Sequence, residues 1–401
     1  YLHQHDVITI DIEHGHIGYI LYIFAHGTLP EAANWQFTHP PLHHALYAGF
    51  LKILTALRLA GDSPFDQLQY LSLLISMLIL FVSRKLLSLL GIHGRARILS
   101  FSILCFHPYL IYLAGSLNND QLLFLFTLCT ITGVIQWDHH RATKMLALAG
   151  FSAALATVTK VSGLLITPAV FLLILLKALS EKQAVRIFLR NCLAFGLPLL
   201  PLPLWWAIRC TAVLGIPFNY VGDIGSNSGQ YIGNYAMLQR IFTLDSGHLK
   251  SFFMDPYPEH YNLPVDLLKS SLFDEWVFPN HAAAGTLFFV NLVLILCAIL
   301  AKAEVFKKDK NANHAHFLLL YGFQFLLLGS FLYFCYKYPQ VCSQNFRYVI
   351  PSMWIGVVSI GAALMNNSGK KGKIRTGFQY LCAIAAAAFN LSSSVFFITN
   401  L

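Results

Sequence analysis

Charge is what this 401-residue chain has least of: Asp, Glu, Lys and Arg make up 11% of it, against 56% hydrophobic residues and a mean hydropathy of +0.60. So little charge leaves too much apolar surface to hide in one soluble core, and the chain reads as a polytopic membrane protein. Several motifs are missing as well. There is no Walker loop, no HExxH, no GxSxG and no paired CxxC, which argues against nucleotide-driven transport, zinc proteolysis and serine hydrolysis. The eight Cys follow neither a zinc spacing nor a disulfide framework. Cys335 and Cys342 flank an outward loop and leave two alternatives open, a disulfide or two free thiols. Internal repeats and low-complexity tracts are also lacking, so 1–401 reads as a single transmembrane domain.

What is present is a series of apolar runs, at 67–91, 96–116, 119–138, 145–159, 161–178, 189–210, 282–303, 315–336, 348–366 and 376–396. Most are near the ~20 residues needed to cross a bilayer. Basic residues fill every second connection: Arg84/Lys85/Arg95/Arg97, Arg141/Lys144, Lys177/Lys182/Arg186/Arg190, Lys302/Lys307/Lys308/Lys310 and Lys370/Lys371/Lys373/Arg375. The positive-inside rule places these five in the cytoplasm and the others outside. They hold eighteen of the 27 basic residues, so the net charge of +9 marks topology and anionic lipid, with no nucleic-acid partner needed.

Two outward regions are too long for simple turns. Residues 1–66 contain amphipathic stretches at 16–27 and 41–60 that suit interfacial helices, the second favoured to begin at Pro40-Pro41. Residues 211–280 form the second, expected to be an ordered or semi-ordered loop bearing short helices. The opening is polar and begins with Tyr1. With 1–66 outside, the alternation predicts a further helix upstream and about eleven spans in the parent protein.

The polar motifs gather on the outward side. Eight of the 17 His lie in the first 44 residues, beside Asp6, Asp11 and Glu13. These suit a loop in which a carboxylate acts as general base or binds a cation with imidazole; the alternative is a solvated, His-rich loop, with His43 and His44 facing headgroups. Asn118-Asn119-Asp120 opens a helix, either as a cap or as a functional carboxylate at membrane depth. Lys160 sits in an outward turn, either a snorkelling anchor or a functional cation. Arg347, in Asn345-Phe346-Arg347-Tyr348-Val349-Ile350-Pro351, offers a donor fork suited to a lipid phosphate, or else pairs with a loop carboxylate. The aromatics of Trp205-Trp206 and of the 269–276 segment read first as interface-belt residues, and alternatively as surfaces that stack on a sugar or lipid.

In this order and on one face, these motifs resemble the GT-C superfamily of membrane glycosyltransferases, nearest to the group with protein O-mannosyltransferases and lipid A aminoarabinose transferase (glycosyltransferase family 39-like). The resemblance rests on His5-Asp6-Val7, Gly15-His16-Ile17-Gly18-Tyr19-Ile20, Gly27-Thr28-Leu29-Pro30, Gln36 and His39-Pro40-Pro41-Leu42. It continues through Asn118-Asn119-Asp120, Lys160-Val161-Ser162-Gly163 and Asn345–Pro351. It implies an all-α transmembrane bundle with short interfacial helices in its extracytoplasmic loops. It implies transfer of a sugar from a dolichyl or undecaprenyl phosphate to a glycan, lipid or protein acceptor. The active site would face the lumen or periplasm, in the endoplasmic reticulum or a bacterial inner membrane.

By position the base falls to Asp6, with Asp11 and Glu13 as alternatives, because the chain departs from the simpler Asp-Glu and Glu-x-Asp patterns. Asp120 would orient the acceptor or help hold a divalent cation, whose requirement stays open. His16, Tyr19, Gln36, His39, Asn119, Lys160, Arg347 and Tyr348 would bind substrate. A transporter or a metal-dependent membrane hydrolase are the competing classes.

Overall fold

In a computed structural model, the structure describes residues 15–33, 35–59, 61, 64–222, 225–244, 246–254, 262–308, 314–365 and 373–400. It is all-α: among the described residues there is no strand, only an isolated bridge between Tyr231 and Gln340. The helices are α1 (His16–His26), α2 (Leu42–Ala56), α3 (Pro64–Leu89), α4 (Gly94–Cys105), α5 (Pro108–Gly115), α6 (Asn119–His140), α7 (Thr143–Thr159) and α8 (Ile166–Ser180). They continue with α9 (Val185–Leu199), α10 (Pro201–Ala212), α11 (Met237–Phe242), α12 (Leu263–Phe273), α13 (His281–Lys308), α14 (His314–Lys337), α15 (Pro351–Met365) and α16 (Lys373–Asn400).

Among the described residues, six helices are long and apolar enough to cross a membrane, and up to nine spans result if each of three bent pairs counts as one. The bends fall between α4 and α5 (53°), between α9 and α10 (46°), and between the 341–349 turns and α15 (44°). Each break carries proline, at Pro108, at Pro198 and Pro201, and at Pro351. Proline removes an N–H from the ladder and its ring clashes with the preceding turn, so the helix must bend or restart. Within the two long outward regions, α1 and α2 form in the first and α11 and α12 in the second.

The chain divides into two compact units. One comprises Tyr1–Leu89, Tyr112–Gly222 and Ala315–Phe323, the other Leu90–Ile111, Asp223–His314 and Gln324–Leu401. In the first, α6 is the central helix, 72% buried over its apolar window against 33% for α3. It packs between α3 and α7, while α7 also carries α9 and α10. Trp206 is buried with Val158, Cys210 and Leu214, so it belongs to this core rather than to an interface belt. At the basic end of α6, buried Asp138 receives Lys177 Nζ at 2.8 Å and pairs with His316 Nε2 at 2.8 Å, with Arg141 3.5 Å away. A carboxylate at a helix C-terminus opposes the macrodipole and needs such partners.

The second unit packs α13 against α15 and α16, with α4 against the latter two. Its loop is docked by backbone pairing, with Ile232 N donating to Pro339 O and Val341 N to Gln230 O. Cys335 and Cys342 are free thiols, and Cys335 Sγ donates instead to Ser343 O. That decides between the disulfide and the two thiols that the sequence left open.

Candidate active site

The site in the first unit is built where α6 begins. Asn118 is extended and its side chain accepts from Asp120 N at 2.8 Å, so it caps the helix. Asp120 then lies in the first turn, 2% exposed, near the positive end of the helix dipole. Lys160 Nζ donates to its Oδ1 at 2.5 Å. The other oxygen, Oδ2, is buried without a hydrogen-bond partner among the described residues. Burying a charge is tolerable only with such pairing. Lys160 is thus no mere snorkelling anchor.

Lys160 reaches Asp120 because α7 stops at Thr159. Lys160 is extended there, its N–H still closing on Ala156 O, and a 3-10 turn (Val161–Leu165) follows. Gly163 makes that turn possible: a Cβ there would lie 2.4 Å from the Ala156 carbonyl carbon. Nothing larger than hydrogen fits, which is the local meaning of Lys160-Val161-Ser162-Gly163.

Asn119 Nδ2 donates to His39 Nδ1 and to Thr159 O, both at 3.4 Å. His39 follows a 3-10 turn (Trp35–Thr38), where Gln36 keeps its Oε1 buried and without a hydrogen-bond partner among the described residues. Behind His39 stands an imidazole wall. The His16 and His44 rings stack at 5.1 Å, with Nδ1 of the first 2.8 Å from Nε2 of the second, and His44 stacks on Tyr19 at 4.2 Å. His43 and His44 are fully buried, so they do not face headgroups. Burial, then the neighbouring His16, His43 and His39, holds His44 well below the ordinary histidine range, so it is neutral at physiological pH. Burial likewise pushes the Tyr19 phenol up, against the opposing pull of Arg209. Arg209 Nη2 donates to Pro30 O at 2.7 Å, tying the Gly27-Thr28-Leu29-Pro30 stretch to α10.

Residues that sequence reasoning missed hold this site in place. Ser72 Oγ donates to Ser116 O at 2.7 Å, so the 2.7 Å contact with Tyr47 Oη uses the tyrosine proton. Gln121 Nε2 reaches Ser72 O, Ser76 Oγ and Leu113 O at 2.6–3.0 Å. Scattered Ser, Tyr and Gln give no motif; the only signal was that Gln121 directly follows Asp120.

Of the sequence-predicted residues, the first unit therefore brings together His16, Tyr19, Gln36, His39, Asn119, Asp120 and Lys160. Asp6, Asp11 and Glu13 lie outside the described residues. Arg347 and Tyr348 belong to the second unit, in a 3-10 turn where Arg347 Nη2 donates to Tyr348 Oη at 3.2 Å and the guanidinium lies 5.1 Å from its ring centre. Asn345 starts that turn: its side chain accepts from Arg347 N and donates to Asp274 Oδ1 at 2.6 Å and Glu275 Oε1 at 3.2 Å. Phe346 N donates to Ser270 Oγ, so the motif is seated on the 269–276 segment.

Among the described residues, no three His, Cys, Asp or Glu converge as metal ligands. At Asp120 one oxygen is taken by Lys160, and the near imidazole Nδ1 of His39 by Asn119.

The family model described as dolichyl-phosphate-mannose-protein mannosyltransferase matches residues 38–226. That span holds His39, Asn119, Asp120 and Lys160. The crystal structure of ArnT from Cupriavidus metallidurans bound to undecaprenyl phosphate is similar in fold, with TM-score 0.50 and 13% identity, covering 94% of this chain and 70% of that one. ArnT from the same organism in the apo state gives TM-score 0.38 and 13% identity over 86% of this chain and 71% of that one. No curated protein matches by sequence.

Proposed function

We propose, since this chain is a GT-C superfamily membrane glycosyltransferase, that it moves a sugar from a polyprenyl-phosphate donor to an acceptor hydroxyl at the outer end of α6. The carrying observation is the buried Asp120–Lys160 pair with its unpartnered Oδ2. The matching family is one of dolichyl-phosphate-mannose-dependent transferases, and the ArnT of similar fold was crystallised with undecaprenyl phosphate bound. Both support a phosphate-linked isoprenoid donor. The acceptor is a glycan, lipid or protein.

In the reaction the acceptor oxygen attacks the anomeric carbon and the bond from that carbon to the phosphate oxygen breaks. The acceptor proton passes to a carboxylate, and the electron pair leaves with the polyprenyl phosphate. Lys160 Nζ supplies positive charge where the phosphate becomes more negative, and Arg347 is assigned the same task. Asp120 Oδ2 accepts from the acceptor hydroxyl or a sugar hydroxyl and positions it. The base is assigned to Asp6, with Asp11 and Glu13 as the alternatives. Substrate binding is assigned to His16, Tyr19, Gln36, His39 and Asn119 in the first unit and to Tyr348 in the second. The basic connections lie in the cytoplasm and the site faces the periplasm or lumen.

The test is transfer of radiolabelled sugar from a panel of polyprenyl-phosphate sugars by the full-length protein in membranes. Asp120→Asn and Lys160→Met should each lower transfer by about 100-fold or more, Lys160→Met with weaker donor binding. Asp6→Asn, Asp11→Asn and Glu13→Gln, run beside them, select the base. Donor left intact by folded wild-type protein with a broad acceptor extract would refute transfer. Full activity of both Asp120→Asn and Lys160→Met would remove the site assignment while leaving the reaction class.

A further inference from the structure

A groove of about 690 Å³ runs between α7 and α9, away from the residues assigned above. Its floor is made by small residues one turn apart on α7, Thr143 and Ala147, with Ala194 of α9. The next residue on that face of α7, Gly150, closes it: a Cβ there would sit 2.0 Å from Phe195 O, so the helices touch. The open flank is apolar, with Leu189, Leu193 and Leu197 each more than half exposed. Two guanidiniums, Arg186 and Arg190, stand at one end.

Neither Arg186 nor Arg190 has an acidic partner among the described residues, and the nearby Glu181 carboxylate is taken by Arg141 and Gln183. Arg186 to Pro198 is about 18 Å along α9, close to the ~15 Å hydrocarbon depth of one leaflet. A groove of that length, cationic at the water boundary and apolar toward the bilayer centre, has the polarity profile of one lipid molecule.

We propose that this groove binds an anionic glycerophospholipid of the leaflet that carries the basic connections. Its phosphate is taken by Arg186 and Arg190, which sit one turn apart and present forked donors. One acyl chain lies over Ala147, Leu193, Ala194 and Leu197. The phosphate of the carrier is assigned to Lys160, at the end of α7 opposite Thr143, so the carrier of the transfer reaction is not the occupant assigned to this groove. The proposal needs only that α7 and α9 lie in the membrane, and it stands whatever the chemistry at Asp120.

Native mass spectrometry of the purified full-length protein tests it, with phosphatidylglycerol or phosphatidylcholine of identical acyl chains added in detergent. Wild-type protein should retain one phosphatidylglycerol, about 30-fold more tightly than phosphatidylcholine. The double variant Arg186→Gln/Arg190→Gln should hold both lipids alike. Ala147→Leu, which fills the floor and leaves both charges, should also lose the bound lipid. Equal retention of phosphatidylglycerol by wild type and both variants would overturn the site, and equal retention of the two lipids by wild type would overturn the charge selection. Displacement of phosphatidylglycerol by one equivalent of undecaprenyl phosphate would reassign the groove to the isoprenoid.

Discussion

At the scale of single residues, the same side-chain type takes opposite roles according to what surrounds it. Asp120 has one cationic partner, Lys160 on Oδ1, whereas Asp138 is surrounded by three, with Lys177 and His316 sharing its Oδ2 and Arg141 3.5 Å from its Oδ1. Histidine shows the same divergence: His39 borders the carboxylate end of α6, while His44 is sealed behind His16 and Tyr19. A histidine kept neutral by burial has a pH signature. Its folded-state pKa lies below the unfolded value of about 6.5, so above that pH neither state binds the proton and stability is complete. As pH falls below about 6.5 the unfolded chain takes up the proton first, and stability declines toward the folded-state pKa. Thermal unfolding in detergent should therefore weaken from pH 7.5 to 5.5, and His44→Gln should flatten part of that decline. Equal slopes would show that His44 carries none of it.

At the scale of elements, the helices were legible where composition alone decides. Ten apolar runs in the sequence match the six long spans, the three bent pairs and the shorter helix α7. The bends were readable too, because Pro108, Pro198, Pro201 and Pro351 stand at the breaks, but hydropathy does not register a change of direction. Pairing is another matter. Asp120 and Lys160 are 40 positions apart, and the sequence supplied only their shared side of the membrane. The contact itself depends on the turn after α7, whose geometry is set by Gly163 against the Ala156 backbone. Gly163→Val should accordingly displace that turn and destabilise the protein by about 3 kcal/mol. The predicted signature is a lowered melting temperature with loss of donor binding; a variant that melts like wild type and binds donor would contradict it. The fastening of α6 by Tyr47, Ser72 and Gln121 was not legible, since hydroxyl and amide chains of this kind have no spacing rule.

For the whole molecule, the charge pattern makes a claim that helix packing alone does not. With eighteen of 27 basic residues in alternate connections, each connection should report one side of the bilayer. In a background lacking the native thiols, a cysteine at Ser228 should react with a membrane-impermeant maleimide on intact cells or right-side-out vesicles. One at Lys182 should react only after permeabilisation. The reverse pattern would invert the topology and put the Asp120 end in the cytoplasm.

Helix α6 is pinned at both ends, to Lys160 at Asp120 and to Lys177 and His316 at Asp138. The two carboxylates are about 18 residues apart along one rigid rod, about 27 Å, close to the ~30 Å thickness of the hydrocarbon layer. A slide of α6 by even one residue would strain both ion pairs at once. In the proposed reaction the helix would then work as a depth gauge, setting the height at which Lys160 meets a headgroup-level phosphate from the opposite leaflet. On that proposal, a bilayer much thicker or thinner than this rod should put the donor phosphate and Asp120 out of register before any side chain is altered.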